Sequence, residues 1–166
     1  LVVVFALGEG WGLYLLLRES TLAIWALITW MAGVVVGIVE DAAVIGLIQQ
    51  VAETYPSANP AQRDALRMAA GGAFETIKVQ QCVSVILCST MAYCIFSMVG
   101  YRLRRIPLWL CIVGVLSGIT TGLFTLGHVL PGLQPMQPLL ENGYTFMVIW
   151  DFSVGVLLLS AANRVN

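Results

Sequence analysis

The run LAIWALITWMAGVVVGIVEDAAVIGLI, residues 22–48, decides the fold class. It holds 27 residues, and its only charges are Glu40 and Asp41. About 20 mainly apolar residues are enough for a helix to cross the hydrocarbon core of a bilayer. The run lacks the period-two alternation of a strand and is too long for a buried one. Four further segments approach the same length: residues 1–17, 82–100, 107–127 and 144–162. The expectation is an all-α protein, a bundle of about five transmembrane helices forming one integral membrane domain over residues 1–166.

Composition points the same way. Of 166 residues, 59% are hydrophobic and 10% are charged, against about 25% charged in soluble domains. Such a chain cannot clothe its surface in polar groups, so lipid is part of its solvent. Eight Lys plus Arg against nine Asp plus Glu give a net charge of −1. That balance excludes the clustered excess of base that nucleic-acid binding needs.

The joints between runs are legible. Arg18, Glu19, Ser20 and Thr21 form a tight turn, and Pro107 suits the first turn of a helix. Residues 128–143 carry Pro131, Pro135 and Pro138 with Gly132 and Gly143, which predicts an ordered or re-entrant loop. The long polar connection is residues 49–81. In it, YPSANP (55–60) is a turn, and Asn59 before Pro60 starts a helix. Leu66, Ala69, Ala70, Ala73, Phe74, Ile77 and Gln81 then recur at helical spacing, with Arg63, Asp64, Arg67, Glu75 and Lys78 mostly off that stripe. This is a short amphipathic helix. It either lies on the membrane surface and runs on into the next span, or is a solvated loop helix.

Basic residues near helix ends set orientation. Arg18, Arg102, Arg104, Arg105 and Arg164 fall on one side of the alternation, and Arg63, Arg67 and Lys78 on the other. The first side is expected to be cytoplasmic, in a bacterial inner membrane, with the carboxyl terminus inside. Leu1 then starts outside, in an apolar run without Met. A further spanning helix upstream is expected, making six.

The polar residues within the runs are the candidate site. Glu9, Glu40, Asp41 and Asp151 all fall inside apolar segments. A charge at bilayer depth costs at least about 2.5–3.5 kcal/mol on insertion scales. No Lys or Arg is expected at that depth, so these carboxyls either carry their proton or bond hydroxyl groups. Counted from the helix ends, Glu40 and Asp151 lie at similar depth, in reach of one another. Glu40 shares a face with Gly33, Gly37 and Val44, and is expected to be buried there and hydrogen-bonded. A carboxyl pair sharing a proton suits proton-coupled transport; a structural interhelical hydrogen bond is the alternative.

His128, the single histidine, is a candidate ligand for a chlorophyll-type magnesium or a haem shared with a partner chain, or else an ordinary loop residue. One histidine excludes a bis-histidine haem or a two-histidine metal site within the chain. No metal site is expected, and the sequence requires no cofactor. Cys82, Cys88, Cys94 and Cys111 lack the two-residue spacing of a zinc knuckle or redox pair and read as small hydrophobes. No Walker loop, GxSxG, HExxH or CxxCH is present, so no enzyme is expected. Gly8 with Gly12, Gly33 with Gly37, and Gly114 with Gly118 and Gly122 mark faces for close helix packing.

The stretch YRLRRIPLWLCIVGVLSG, residues 101–118, resembles the basic turn and following helix of bacterial membrane proteins grouped as domain of unknown function 4386. The resemblance rests on Arg104, Arg105, Pro107, Trp109 and Gly114, and extends to Glu40, the long polar loop and Trp150. Two positions depart from it: no Arg precedes Glu40 within its helix, and Leu108 stands where an Arg is common. It implies a six-helix bundle and carries no activity. Two functions follow as expectations. One is a non-enzymatic accessory or structural subunit of a larger membrane complex of respiratory or photosynthetic type, held by lipid and by other subunits. The other is a small proton-coupled transporter using the intramembrane carboxylates.

Overall fold

The computed structural model describes residues 2–163, and among them all regular structure is helical. Helix α1 spans Val2–Leu17 and α2 spans Thr21–Thr54. Next comes α3 (Pro60–Val85), which passes through a π-helical segment (Ile86–Ala92) into α4 (Tyr93–Arg102). Helix α5 spans Leu108–Gly127 and α7 spans Gly143–Ala162, with a 3-10 turn (Pro131–Met136) and the one-turn α6 (Gln137–Leu140) between them. Arg164, assigned above to the cytoplasmic side, lies outside the described residues.

Four helices are long and apolar enough to cross a membrane: Thr21–Thr54, the continuous Pro60–Arg102, Leu108–Gly127 and Gly143–Ala162. The make-up is that of an integral membrane protein. The expected count of five is not confirmed among the described residues: α1 has 16 residues, against the roughly 20 typical of a crossing. The loop helix is not short either. It begins at Asn59, whose side chain accepts from the Gln62 amide while the Gln62 side chain accepts from the Asn59 amide. From there it runs unbroken into the next span, packed along α2. The 128–143 connection, read as loop, holds the 3-10 turn and α6, both against α5.

Helix α5 shows why the bundle reads as a membrane protein. Beyond Leu110, buried in its first turn, its inward face is Cys111, Gly114, Ser117, Gly118, Thr121, Gly122 and Thr125. Its outward face carries Leu108, Ile112, Leu116 and Ile119. Small and hydroxylated residues inside with large aliphatics outside invert the pattern of a soluble helix. Lipid supplies no drive to bury leucine, so close backbone approach holds such helices together.

Two of the three glycine faces are used within the chain. A Cβ on Gly33 would overlap Cys88 Sγ and lie 2.8 Å from the Ser84 carbonyl oxygen. That closeness lets Ser84 Oγ donate to the Gly33 carbonyl at 2.9 Å and Cys88 Sγ to the Trp30 carbonyl at 3.2 Å. Gly114, Gly118 and Gly122 likewise receive Ser97, Cys94, Thr90 and Trp150. The first face divides: Gly12 meets Leu158 of α7, while Gly8 has nothing within 4 Å.

The centre is aromatic. Trp30 of α2 stacks on Tyr93 of α4 with ring centroids 5.5 Å apart, and Tyr93 stacks on Trp150 of α7 at 4.2 Å. Phe96 meets Trp30 edge-on at 6.3 Å. The Trp30 indole donates to the Ala6 carbonyl at 2.8 Å, tying α1 to the stack.

Candidate functional site

The site is built around Asp151, Tyr93 and Glu9. Successive helices reverse direction, and Arg105 of the α4–α5 turn pairs with Glu19 of the α1–α2 turn at 2.8 Å. Both turns therefore lie at the same end of the bundle. At 1.5 Å per residue, Glu9 stands about 12 Å from that end and Asp151 about 16 Å. A hydrocarbon core is about 30 Å thick, so a bilayer bounded at that end would have both carboxyls near its middle. The Gly12–Leu158 contact sets the register between α1 and α7.

Asp151 is half-buried, and its Oδ1 accepts from the Tyr93 hydroxyl at 2.5 Å. Tyr93 is itself clamped between Trp30 and Trp150, so the phenol has little freedom to turn away. A phenol buried in apolar surroundings needs an acceptor, and here the acceptor is a carboxyl. Glu9 is half-buried, and its Oε1 is enclosed without a hydrogen-bond partner. The two carboxyls line one groove of about 610 Å³ on the flank of the bundle, between α1 and α7. Its walls include Gly8, Phe152, Gly155 and Leu159. Neither Gly8 nor Gly155 has a heavy atom within 4 Å of where a Cβ would stand. Neither α1 nor α7 contains Lys or Arg, so no cation from the walls answers the carboxyls.

The other expected residues fall elsewhere. Glu40 and Asp151 share no hydrogen bond among the described residues; the partner of Asp151 is Tyr93. Helix α2 continues to Thr54, so its carboxyl end is not a membrane boundary, and counting depth from it misplaces Glu40. From Thr21, Glu40 lies about 28 Å along the helix, close to the full thickness of a hydrocarbon core. It is half-buried and makes no side-chain hydrogen bond among the described residues; Asp41 is exposed. The expected burial and bonding of Glu40 are therefore not what the structure has. His128 caps the carboxyl end of α5 in the open, its Nδ1 3.1 Å from the Phe124 carbonyl and its ring edge-on to Phe124. Because the carbonyl only accepts, Nδ1 carries the proton, and Nε2 faces away from that bond. Among the described residues, no group of three or more His, Cys, Asp or Glu side chains is placed to hold a metal. The four cysteines are free thiols.

Tyr93 escaped the sequence reading, although a phenol at mid-helix in a span was a readable signal. The π segment before it had none. Its Thr90 hydroxyl donates to the Gly118 carbonyl at 3.0 Å. Four more buried polar atoms, Ser97 Oγ, Ser117 Oγ, Thr121 Oγ1 and Trp150 Nε1, lie without partners between α4, α5 and α7. The chain matches no protein-family model, no curated protein and no solved structure.

Proposed function

We propose that this protein is a non-enzymatic accessory or structural subunit of a larger membrane complex, and that the α1–α7 groove receives a helix of another subunit. The observation that carries this is the groove itself: two opposed open glycines beside a carboxyl oxygen enclosed without a partner. Small residues admit a second helix closely, and a polar group at bilayer depth favours a partner that supplies a donor. The Gly33 and Gly114 faces are filled from within the chain; of the open helical glycines, Gly8 and Gly155 are the two that share a groove with carboxyl groups. Respiratory and photosynthetic assemblies of a bacterial inner membrane are the proposed setting. In it α1 is a fifth span and the carboxyl terminus is cytoplasmic. The basic turn, Pro107, Trp109 and Gly114 support kinship with domain of unknown function 4386 by resemblance alone.

A second reading, proton-coupled transport, is favoured by one observation: Glu9 and Asp151 open on the same groove, with the Tyr93 hydroxyl on one of them. Purification in mild detergent from native membranes separates the two. The subunit reading expects the chain in a stable multi-subunit particle, from which Glu9→Leu releases it without unfolding it. A monodisperse particle of this chain alone, carrying a proton flux that Glu9→Gln abolishes in liposomes, makes it a transporter.

A further inference from the structure

The turn between α4 and α5 carries a second site, of opposite charge. Tyr101, Arg102, Arg104, Arg105, Ile106 and Pro107, with Leu108 of α5 and Leu157 of α7, line an open cavity of about 590 Å³. No acidic residue lines it. Arg105 is engaged by Glu19 at 2.8 Å, whereas Arg102 and Arg104 have no ion-pair partner among the described residues.

The backbone sharpens the charge. The carbonyls ending α4 are already answered by the turn: Arg105 and Ile106 amides donate to Gly100, Leu103 to Val99 and Arg104 to Tyr101. Helix α5 opens at Pro107 without a side-chain cap, and Pro107 and Leu108 line the cavity, so the positive end of the helix dipole lies at its edge. Arg104 is the one non-glycine residue with positive φ among the described residues, at 53°. That region suits glycine far better than arginine. Beside this cationic rim, Leu108 and Trp109 are more than half exposed, as residues at a lipid interface are.

We propose that this cavity seats the phosphate of an anionic phospholipid headgroup, gripped by Arg102 and Arg104 at the start of α5, with the lipid's apolar part against Leu108 and Leu157. Basic pockets between membrane helices hold such headgroups, and two guanidinium forks match phosphate geometry.

Native mass spectrometry in mild detergent tests it, with phosphatidylglycerol and phosphatidylcholine as probes. Phosphatidylglycerol should be retained in preference. Arg102→Gln and Arg104→Gln should each weaken retention about fivefold, and the pair about 25-fold. Arg104→Gly keeps the falsifiability if the glutamine variants fold poorly: it relieves the backbone and removes the guanidinium, so it should fold at least as well and still lose the lipid. Arg63→Gln with Arg67→Gln removes as much charge elsewhere and should change nothing. The proposal is overturned if that control pair weakens retention equally, if the two lipids bind alike, or if excess inorganic phosphate displaces phosphatidylglycerol completely, which would make this a site for the free anion.

Discussion

Tyr93 and Asp151 are each other's only bonded side-chain partner among the described residues. Removing the phenol oxygen leaves a half-buried carboxyl with nothing to answer it. Leaving a buried polar group unpaired costs about 1–3 kcal/mol, while hydrogen bonds between membrane helices are worth about 0.6 kcal/mol on average. Tyr93→Phe should therefore destabilise by about 1–2 kcal/mol, measured by unfolding in mixed micelles. A double-mutant cycle with Asp151→Asn should return a coupling of at least about 0.5 kcal/mol. A coupling of zero would mean the bond contributes nothing. Glu40 gives the opposite expectation. It is half-buried and makes no side-chain hydrogen bond among the described residues, so Glu40→Gln should change stability by less than about 0.5 kcal/mol. The charges inside apolar runs were legible as the candidate site, because burying a carboxylate is costly wherever it happens. Which carboxyls share a site was not, since that depends on register between α1 and α7, elements far apart in sequence whose contact no local pattern encodes.

At the scale of the helix, the glycines separate into filled and open positions. Gly33 lies against the Ser84 backbone and Cys88, neither of which can swing aside as a flexible chain end would. Gly33→Ala should cost about 1–3 kcal/mol by overpacking. Gly8→Ala meets open space, and in isolated protein it should be neutral or stabilising by up to about 1 kcal/mol, as alanine is in a helix. Both belong to a GxxxG spacing, and the spacing alone does not separate them. Helix lengths were harder to read. The apolar run ends at Ile48, yet α2 continues to Thr54 because Gln49, Gln50 and Glu53 are good helix formers and α2 as a whole packs along α3. At about 51 Å, α2 exceeds the bilayer core, and its last turns with the start of α3 form a hairpin reaching beyond it. The π segment at Ile86–Ala92 was invisible in the sequence. One wide turn shifts the helical register, which changes the faces that Tyr93 and Phe96 of α4 present.

For the whole molecule, alternation of the helices and the Arg105–Glu19 pair put Ser20 and Ser57 at opposite ends of the bundle. Cysteines introduced at these positions, in a background without the native thiols, should label from opposite sides of the membrane, Ser57 from outside. Labelling of both from one side would contradict the alternation, and labelling of Ser57 only from the cytoplasm would reverse the orientation. The fold class followed from composition and run length because the bilayer sets both. The bundle's arrangement, with Tyr93 stacked between Trp30 and Trp150, is a tertiary outcome. What the groove holds is decided most directly by photocrosslinking from Phe152, three-quarters exposed on its wall. A benzophenone amino acid at that position, activated in native membranes, should capture one defined second polypeptide, and Glu9→Leu should abolish the capture. Crosslinks to lipid alone, unchanged by Glu9→Leu, would contradict the account.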